Sequence, residues 1–190
     1  MASNLHQDVP ESFRAALASL RNPKLRPEVA LTEVPAPSRL APFALALSAE
    51  VFSTPTSRHP DETPEAAGRF VVLHDPAGQA SWDGYFRAVT LARASLEPDI
   101  GHDPLLPGVA WSWVEENIGA QAETRALGGT VTAIASESFG AIAAQESSVE
   151  LEIRASWTTG PDLAEHLAAW SQLLCVVAGL PPLPAGVTRI

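Results

Sequence analysis

The stretch Val149-Glu150-Leu151-Glu152-Ile153-Arg154-Ala155-Ser156-Trp157 alternates apolar and polar side chains without a break. Alternation with a period of two is typical of a β-strand that buries one face and leaves the other in water. Such strands are typical of antiparallel sheets, because parallel sheets are covered on both faces. A weaker run over residues 130–138 precedes it. The two runs together predict an antiparallel hairpin.

Further strands are predicted on the N-terminal side of this hairpin. Residues 43–51 alternate in the same way, and residues 68–74 form an apolar run that ends at the turn-forming sequence Asp75-Pro76-Ala77-Gly78. Residues 85–96 are ambiguous, since their Phe, Val, Thr and Leu favour a strand whereas their Ala and Arg also suit a helix. We interpret them as a strand. A proline-punctuated segment before them holds at most one short edge strand, around residues 29–32.

Three helices complete the pattern. Apolar residues recur at helical spacing between residues 9 and 20, after Asp103-Pro104, and between residues 163 and 177, where Gly179 and Pro181 mark the end. The order α-β-β-β-α-β-β-α groups strands with strands, which predicts an α+β fold: a mostly antiparallel sheet of about five strands with three helices packed against it. We expect one domain over residues 1–190, with a mobile loop around residues 53–67, where Ser, Thr, Pro and acidic residues cluster.

Composition narrows the classes of function. The chain has 190 residues and a net charge of −10, and Lys24 is its only lysine. Because a phosphate-tracking surface needs clustered Lys and Arg, we do not expect a nucleic-acid binder. No signal peptide or membrane span is predicted, so we expect a cytoplasmic protein. Cys175 is the only cysteine and lies in an apolar run, where a buried thiol is expected.

The loop over residues 74–84 has the composition of a binding site. It combines polar side chains with a tryptophan and two glycines at the end of a predicted strand, and loops of this kind often hold ligands. The alternative is a tight connection in which Trp82 folds back on the core. The candidate residues for a ligand or partner are His74, Asp75, Gln79 and Trp82 in the loop, Arg87 after it, and Arg154 on the amphipathic strand.

The tripeptide His-Asp-Pro occurs twice, beginning at His74 and at His102. Two His and two Asp could form a divalent metal site with Gln79 if the copies met in space. Asp-Pro also starts turns and helices, and both copies lie where one is needed. We therefore predict no metal, no cofactor and no catalytic residue. Neither a nucleophile elbow nor a phosphate loop is present.

Seven stretches of the chain resemble an actinobacterial family known only as domain of unknown function 3000. They are residues 33–42, 72–79, 103–107, 111–113, 128–132, 154–158 and 178–182. The resemblance implies no activity. We expect a non-enzymatic binding or protein-interaction domain whose partner is a protein or a small molecule. The alternative is a small metal- or ligand-dependent enzyme that uses the loop over residues 74–79.

Overall fold

A computed structural model describes residues 9–54, 62–101 and 103–181. Its six strands are β1 (Val29–Val34), β2 (Phe43–Val51), β3 (Ala66–Gln79), β4 (Gly84–Leu96), β5 (Arg125–Ser136) and β6 (Ser148–Thr159). The helices are α1 (Glu11–Ser19), α2 (Pro98–Gly101), α3 (Leu106–Val114) and α4 (Ala164–Val177). A π-helical turn, Glu115–Gly119, continues α3, and a 3₁₀ turn, Gly140–Ile142, follows β5.

The strands form one antiparallel sheet in the order β1-β2-β3-β4-β6-β5. The first four follow one another as a meander. The chain then passes through α2 and α3 to the far edge, where β5 and β6 form a hairpin that places β6 beside β4. The quoted stretch on β6 is therefore an inner strand, paired on both sides.

The core lies between one face of the sheet and the helices. Trp157 on β6 and Phe70 on β3 are fully buried there beside Trp170 of α4, whose ring centroid lies 5.4 Å from that of Phe70. The indole N–H of Trp170 donates a hydrogen bond of 2.5 Å to the hydroxyl of Thr90 on β4. The helix ends in a Schellman motif: the amide of Leu180 donates to the carbonyl of Cys175, and that of Gly179, at φ +74°, to that of Val176.

The predicted α+β class and the antiparallel sheet are confirmed, but the element counts are wrong. The described residues form six strands and not about five, because the segment around residues 29–32 is a true edge strand. The same part of the chain contains four α-helices and not three, since the four-residue α2 is too short to show a helical period. Residues 84–96 form a strand, which confirms the interpretation of residues 85–96 as a strand and not a helix.

Two local expectations also need correction. The sequence Asp75-Pro76-Ala77-Gly78 does not end β3, which continues to Gln79 after a break in register that begins at His74. β3 begins at Ala66, inside the segment around residues 53–67 that the sequence predicts as a loop; the mobility of that loop stays a prediction. Residues 55–61 of that loop lie outside the described residues.

Candidate functional site

The face of the sheet opposite the helices, here called the open face, is organised in cross-strand rows. One row reads Arg69 on β3, Leu91 on β4, Arg154 on β6 and Thr130 on β5. The next row along the strands reads Val71, Val89, Ser156 and Gly128. Register partners on neighbouring strands point to the same face, so these eight residues form one surface.

These two rows line a cavity of about 380 Å³. Its floor is predominantly apolar and consists of Val71, Val89 and Leu91, which are all half-buried. At Gly128 an added Cβ would meet nothing within 4 Å, so the missing side chain keeps the cavity open toward β5. A volume of this size falls within the range of small-molecule sites.

Arg69 supplies a cation on the side of the cavity that β3 forms. Its backbone is fixed, because its carbonyl accepts a hydrogen bond of 3.0 Å from Thr90, the residue that Trp170 also contacts. Its guanidinium, by contrast, makes no hydrogen bond or ion pair with any residue in the described ranges. The donors of Arg69 are therefore available to a ligand in the cavity.

Arg154 lies on the other side of Leu91 from Arg69. Two strand spacings separate the two positions, which is roughly 10 Å. The Nε of Arg154 lies 2.6 Å from Glu152, whose other carboxylate oxygen lies 2.5 Å from Nη2 of Arg93. Hydrogen bonding from Arg93, supported by the charge of Arg154, lowers the pKa of Glu152. One carboxylate is thus shared by two guanidiniums, and Arg154 uses its Nε for this pair.

Arg87 belongs to the same face, one row beyond Val89. It donates to Ser156 at 2.7 Å, to Thr158 at 3.1 Å and to the carbonyl of Ala126 at 3.1 Å. All three acceptors are neutral, and burial lowers the pKa of this guanidinium. Arg87 therefore fixes the start of β5 beside the cavity and adds positive charge to the open face.

His74 lies on the helix side of the sheet and not on the open face. It is 2 % exposed and stacks on Phe86 at a centroid distance of 4.1 Å. Its Nδ1 is 3.0 Å from the carbonyl of Tyr85, which can only accept, so Nε2 accepts from the Ser12 hydroxyl at 3.1 Å. Burial lowers the pKa of His74. Both ring nitrogens of His74 therefore have hydrogen-bond partners within the protein.

The other loop candidates lie at the tip of the β3–β4 hairpin. The carboxylate of Asp75 accepts from the amide of Ala77 at 3.0 Å and from the side chain of Gln79 at 3.1 Å, as in a local turn. Trp82 is 9 % exposed, and its carbonyl accepts a hydrogen bond from Thr158. Trp82 thus folds back on the core, while Gln79 also lines a second cavity of about 440 Å³ at the hairpin tip.

The described residues of the two His-Asp-Pro copies make local contacts that support the fold. Asp103 accepts from the amide of Leu105 at 2.8 Å and so helps to start the α2–α3 turn. His102 lies outside the described residues. Within the described ranges, no group of three or more His, Cys, Asp or Glu could hold a metal ion. The geometry brings neither Asp75 nor Asp103 into a ligand cluster.

Sequence reasoning found part of the open face. Arg154 lines the cavity and Arg87 lies one row away, whereas His74, Asp75, Gln79 and Trp82 lie elsewhere. It missed Arg69 and the apolar floor. The signal was the alternation of Arg69 and Val71 against the buried Phe70 and Val72, but only the register of β3 with β4 and β6 shows that they meet Arg154.

Comparison with known proteins identifies the family of the chain, and the description of that family names no function. The profile of a family described as protein of unknown function (DUF3000) matches residues 9–188. The chain belongs to this family. No curated protein and no solved structure shows significant similarity to this DUF3000 chain. None of the helices in its described part combines the length and the apolar character that a bilayer crossing requires.

Proposed function

We propose that this DUF3000 protein is a non-enzymatic binding domain whose site is the cavity on the open face. Its ligand is a small organic anion with an apolar body, such as an aliphatic or aromatic carboxylate. The observation that carries the proposal is an apolar floor flanked by two arginines, of which Arg69 makes no bond to any described residue. The cytoplasmic location and the actinobacterial origin expected from the sequence belong to the same proposal.

The chemistry of the lining supports binding over catalysis. The described residues that line the cavity include two arginines, two threonines and a serine, but no carboxylate, imidazole, thiol or amine. General acid–base catalysis needs a group that can exchange a proton near neutral pH, and an arginine does not. The lining can hold an anion by charge-assisted hydrogen bonds and an apolar body by burial.

The positive charges of Arg69 and Arg154 favour a negatively charged ligand. Cationic amphiphiles would place a positive head group beside Arg69 and Arg154, where repulsion opposes binding. Neutral ligands of the same length would contact the floor but leave the donors of Arg69 without an acceptor. The proposal therefore predicts a strict order of affinity: anion first, neutral second and cation last.

The test uses 8-anilinonaphthalene-1-sulfonate, a fluorescent probe with an aromatic body and one anionic group. We expect the purified chain to bind it in a 1:1 complex and decanoate to displace it. Decanol should displace it weakly, and decyltrimethylammonium should not. Arg69→Gln should weaken binding about 10- to 100-fold, because a hydrogen bond to a charged group contributes about 1.5–3 kcal/mol.

A matched control removes one arginine elsewhere. Arg21→Gln changes the net charge by the same amount at an exposed position after α1, on the helix side of the molecule, and should bind the probe like the wild type. Equal affinity in the wild type and in Arg69→Gln, or equal displacement by decanoate and decyltrimethylammonium, would rule the proposal out.

A further inference from the structure

Strand β5 forms a long edge of the sheet that is paired on one side only. It has 12 residues, and its register with β6 is regular from Gly128 to Ser136. Among the described residues, no strand pairs with its outer side. Unpaired edges of this length offer backbone donors and acceptors to a further strand.

The composition of β5 leaves this edge unprotected. Proteins usually block edge strands with charges, prolines or a short length. From Ala126 to Ser136 the strand contains no charged residue and no proline. The opposite edge, β1, differs in each respect: it has six residues, carries Glu33 and is followed directly by Pro35. β5 has one charge, Arg125 at its start, and a break in register between Arg125 and Gly128, but its regular part from Gly128 to Ser136 has no such protection.

The ends of β5 make the edge complementary to itself. Arg125 begins the strand and Glu137 follows it, so the uncharged stretch is bounded by one charge of each sign. In an antiparallel pair of two copies, the Arg125 end of one strand meets the Glu137 end of the other. A pairing axis near Val131 places the opposite charges near each other at both ends, where Arg125 lies beyond the break in register and also donates to the carbonyl of Asp83 in its own chain.

Exposed apolar side chains are concentrated at the same place. Ile134 on β5 is 50 % exposed, and Phe139 and Ile142 directly after it are 73 % and 54 % exposed. With a net charge of −10, two copies would repel each other across most of their surfaces. Pairing through the uncharged β5 edge and its apolar end would avoid this repulsion.

We propose that β5 pairs antiparallel with β5 of a second copy, which joins the two sheets into one continuous sheet across a twofold axis. The interface is isologous, since each strand contributes the same edge. This inference does not depend on the ligand of the open face. A failure of one leaves the other unaffected, because probe binding and chain mass are measured separately.

The first test is the mass of the protein in solution, by sedimentation velocity over a range of concentrations. We expect the wild type to sediment as a dimer of the 20.0 kDa chain. The double variant Thr132→Lys/Ile134→Lys places two charges on the edge of each copy and should be monomeric. Its control, Ala30→Lys/Thr32→Lys, adds the same charges at the same spacing on β1 and should remain dimeric.

The second test locates the axis by cross-linking. Cys175 is the only native cysteine and is buried, so a disulfide-linked dimer can be assigned to the introduced cysteine. Single cysteines at Thr130, Val131 and Thr132 should give a disulfide-linked dimer at one or two adjacent positions, because only residues next to a twofold axis face their own copies. Thr32→Cys on β1 should give none. A wild-type monomer at every concentration, or a dimer that survives Thr132→Lys/Ile134→Lys, would overturn the proposal, and an extended peptide of another protein would then be the partner to seek.

Discussion

At the scale of single residues, Glu152 controls the charge of the cavity. Its side chain is 12 % exposed, and it contacts Arg93 and Arg154, whose side chains are 49 % and 64 % exposed. The hydrogen bond from Arg93 and the nearby positive charges lower the pKa of the carboxyl, so Glu152 stays ionised at neutral pH. Arg154 is therefore held partly away from a ligand in the folded protein.

Glu152→Gln tests this restraint directly. An uncharged amide holds a guanidinium less strongly than a carboxylate, so Arg154 should become available to the anionic probe. We expect the dissociation constant for 8-anilinonaphthalene-1-sulfonate to fall about 1.5- to fivefold, as for the loss of an exposed ion pair. Fluorescence titration measures the change.

Glu150→Gln separates this effect from a general change in charge. Glu150 lies on the same side of β6 and is 52 % exposed, but its contact is with Arg93, at 3.9 Å. Removing its charge should leave probe affinity nearly unchanged. A similar gain in both variants would mean that the long-range field, and not release of Arg154, determines binding.

At the scale of elements, the sequence predicts those strands whose two faces meet different surroundings. β2 and β6 alternate clearly because one face packs on helices and the other lies open. β4 is ambiguous because three of its five buried positions, Ala88, Ala92 and Ala94, are small residues that also favour a helix. The continuation of β3 past Asp75 was missed because Asp-Pro and Gly are turn residues wherever they occur.

The candidate site is harder to predict than the elements, since it depends on register. Arg69, Leu91 and Arg154 are separated in sequence by more than 20 residues at each step, and pairing through two strands aligns them. A shift of one residue in either pairing would move a strand's side chains to the other face. Local patterns identified Arg154 as exposed but could not show what lies beside it.

Packing of α4 on the sheet depends on Gly68. A Cβ at this position would lie 2.7 Å from Leu174 and 2.9 Å from Trp170, both on α4, and 3.0 Å from the carbonyl of Leu91. Gly68→Ala should therefore push the helix from β3 and lower the free energy of unfolding by about 1–3 kcal/mol. Urea denaturation followed by tryptophan fluorescence measures the loss.

Gly108→Ala is the matched control, with the same chemical change in a different setting. An added Cβ there meets nothing within 4 Å, and Gly108 lies inside α3. Since Ala favours a helix over Gly by about 1 kcal/mol, this variant should be as stable as the wild type or more stable. Equal stability of the two variants would show that the close approach of α4 does not constrain residue 68.

At the scale of the whole molecule, the charge distribution is uneven. The chain carries 22 acidic and 12 basic residues. Four arginines nevertheless share the open face: Arg69, Arg87, Arg93 and Arg154. Glu50, Glu150 and Glu152 lie on the same face, so its positive charge is concentrated around the cavity, beside Arg69 and Arg154. The otherwise acidic surface repels anions and this local positive region attracts them, an effect that salt weakens. The uncharged β5 edge borders the same face, so a second copy would extend it and would not cover it.

The folded molecule also holds two histidines in the neutral form. His166 is 2 % exposed and accepts a hydrogen bond of 3.2 Å from the indole N–H of Trp157, and burial lowers its pKa despite the nearby Glu123, Glu165 and Asp162. His74 is equally buried, and burial lowers its pKa as well. In the unfolded chain both titrate near the ordinary value of about 6.5.

The free energy of unfolding should therefore fall as the pH drops below about 6.5, because the unfolded state then binds protons that the folded state does not bind. The slope is at most about 1.4 kcal/mol per pH unit for each histidine. Urea denaturation at about pH 7.5 and about pH 5.5 should show the loss, a window above the range in which Glu152 titrates. In the folded protein, the NMR signals of both imidazole rings should stay at their neutral positions across the same window. Equal unfolding free energies at the two pH values, or rings that titrate near pH 6.5 in the folded state, would show that the two histidines are not held neutral by the core.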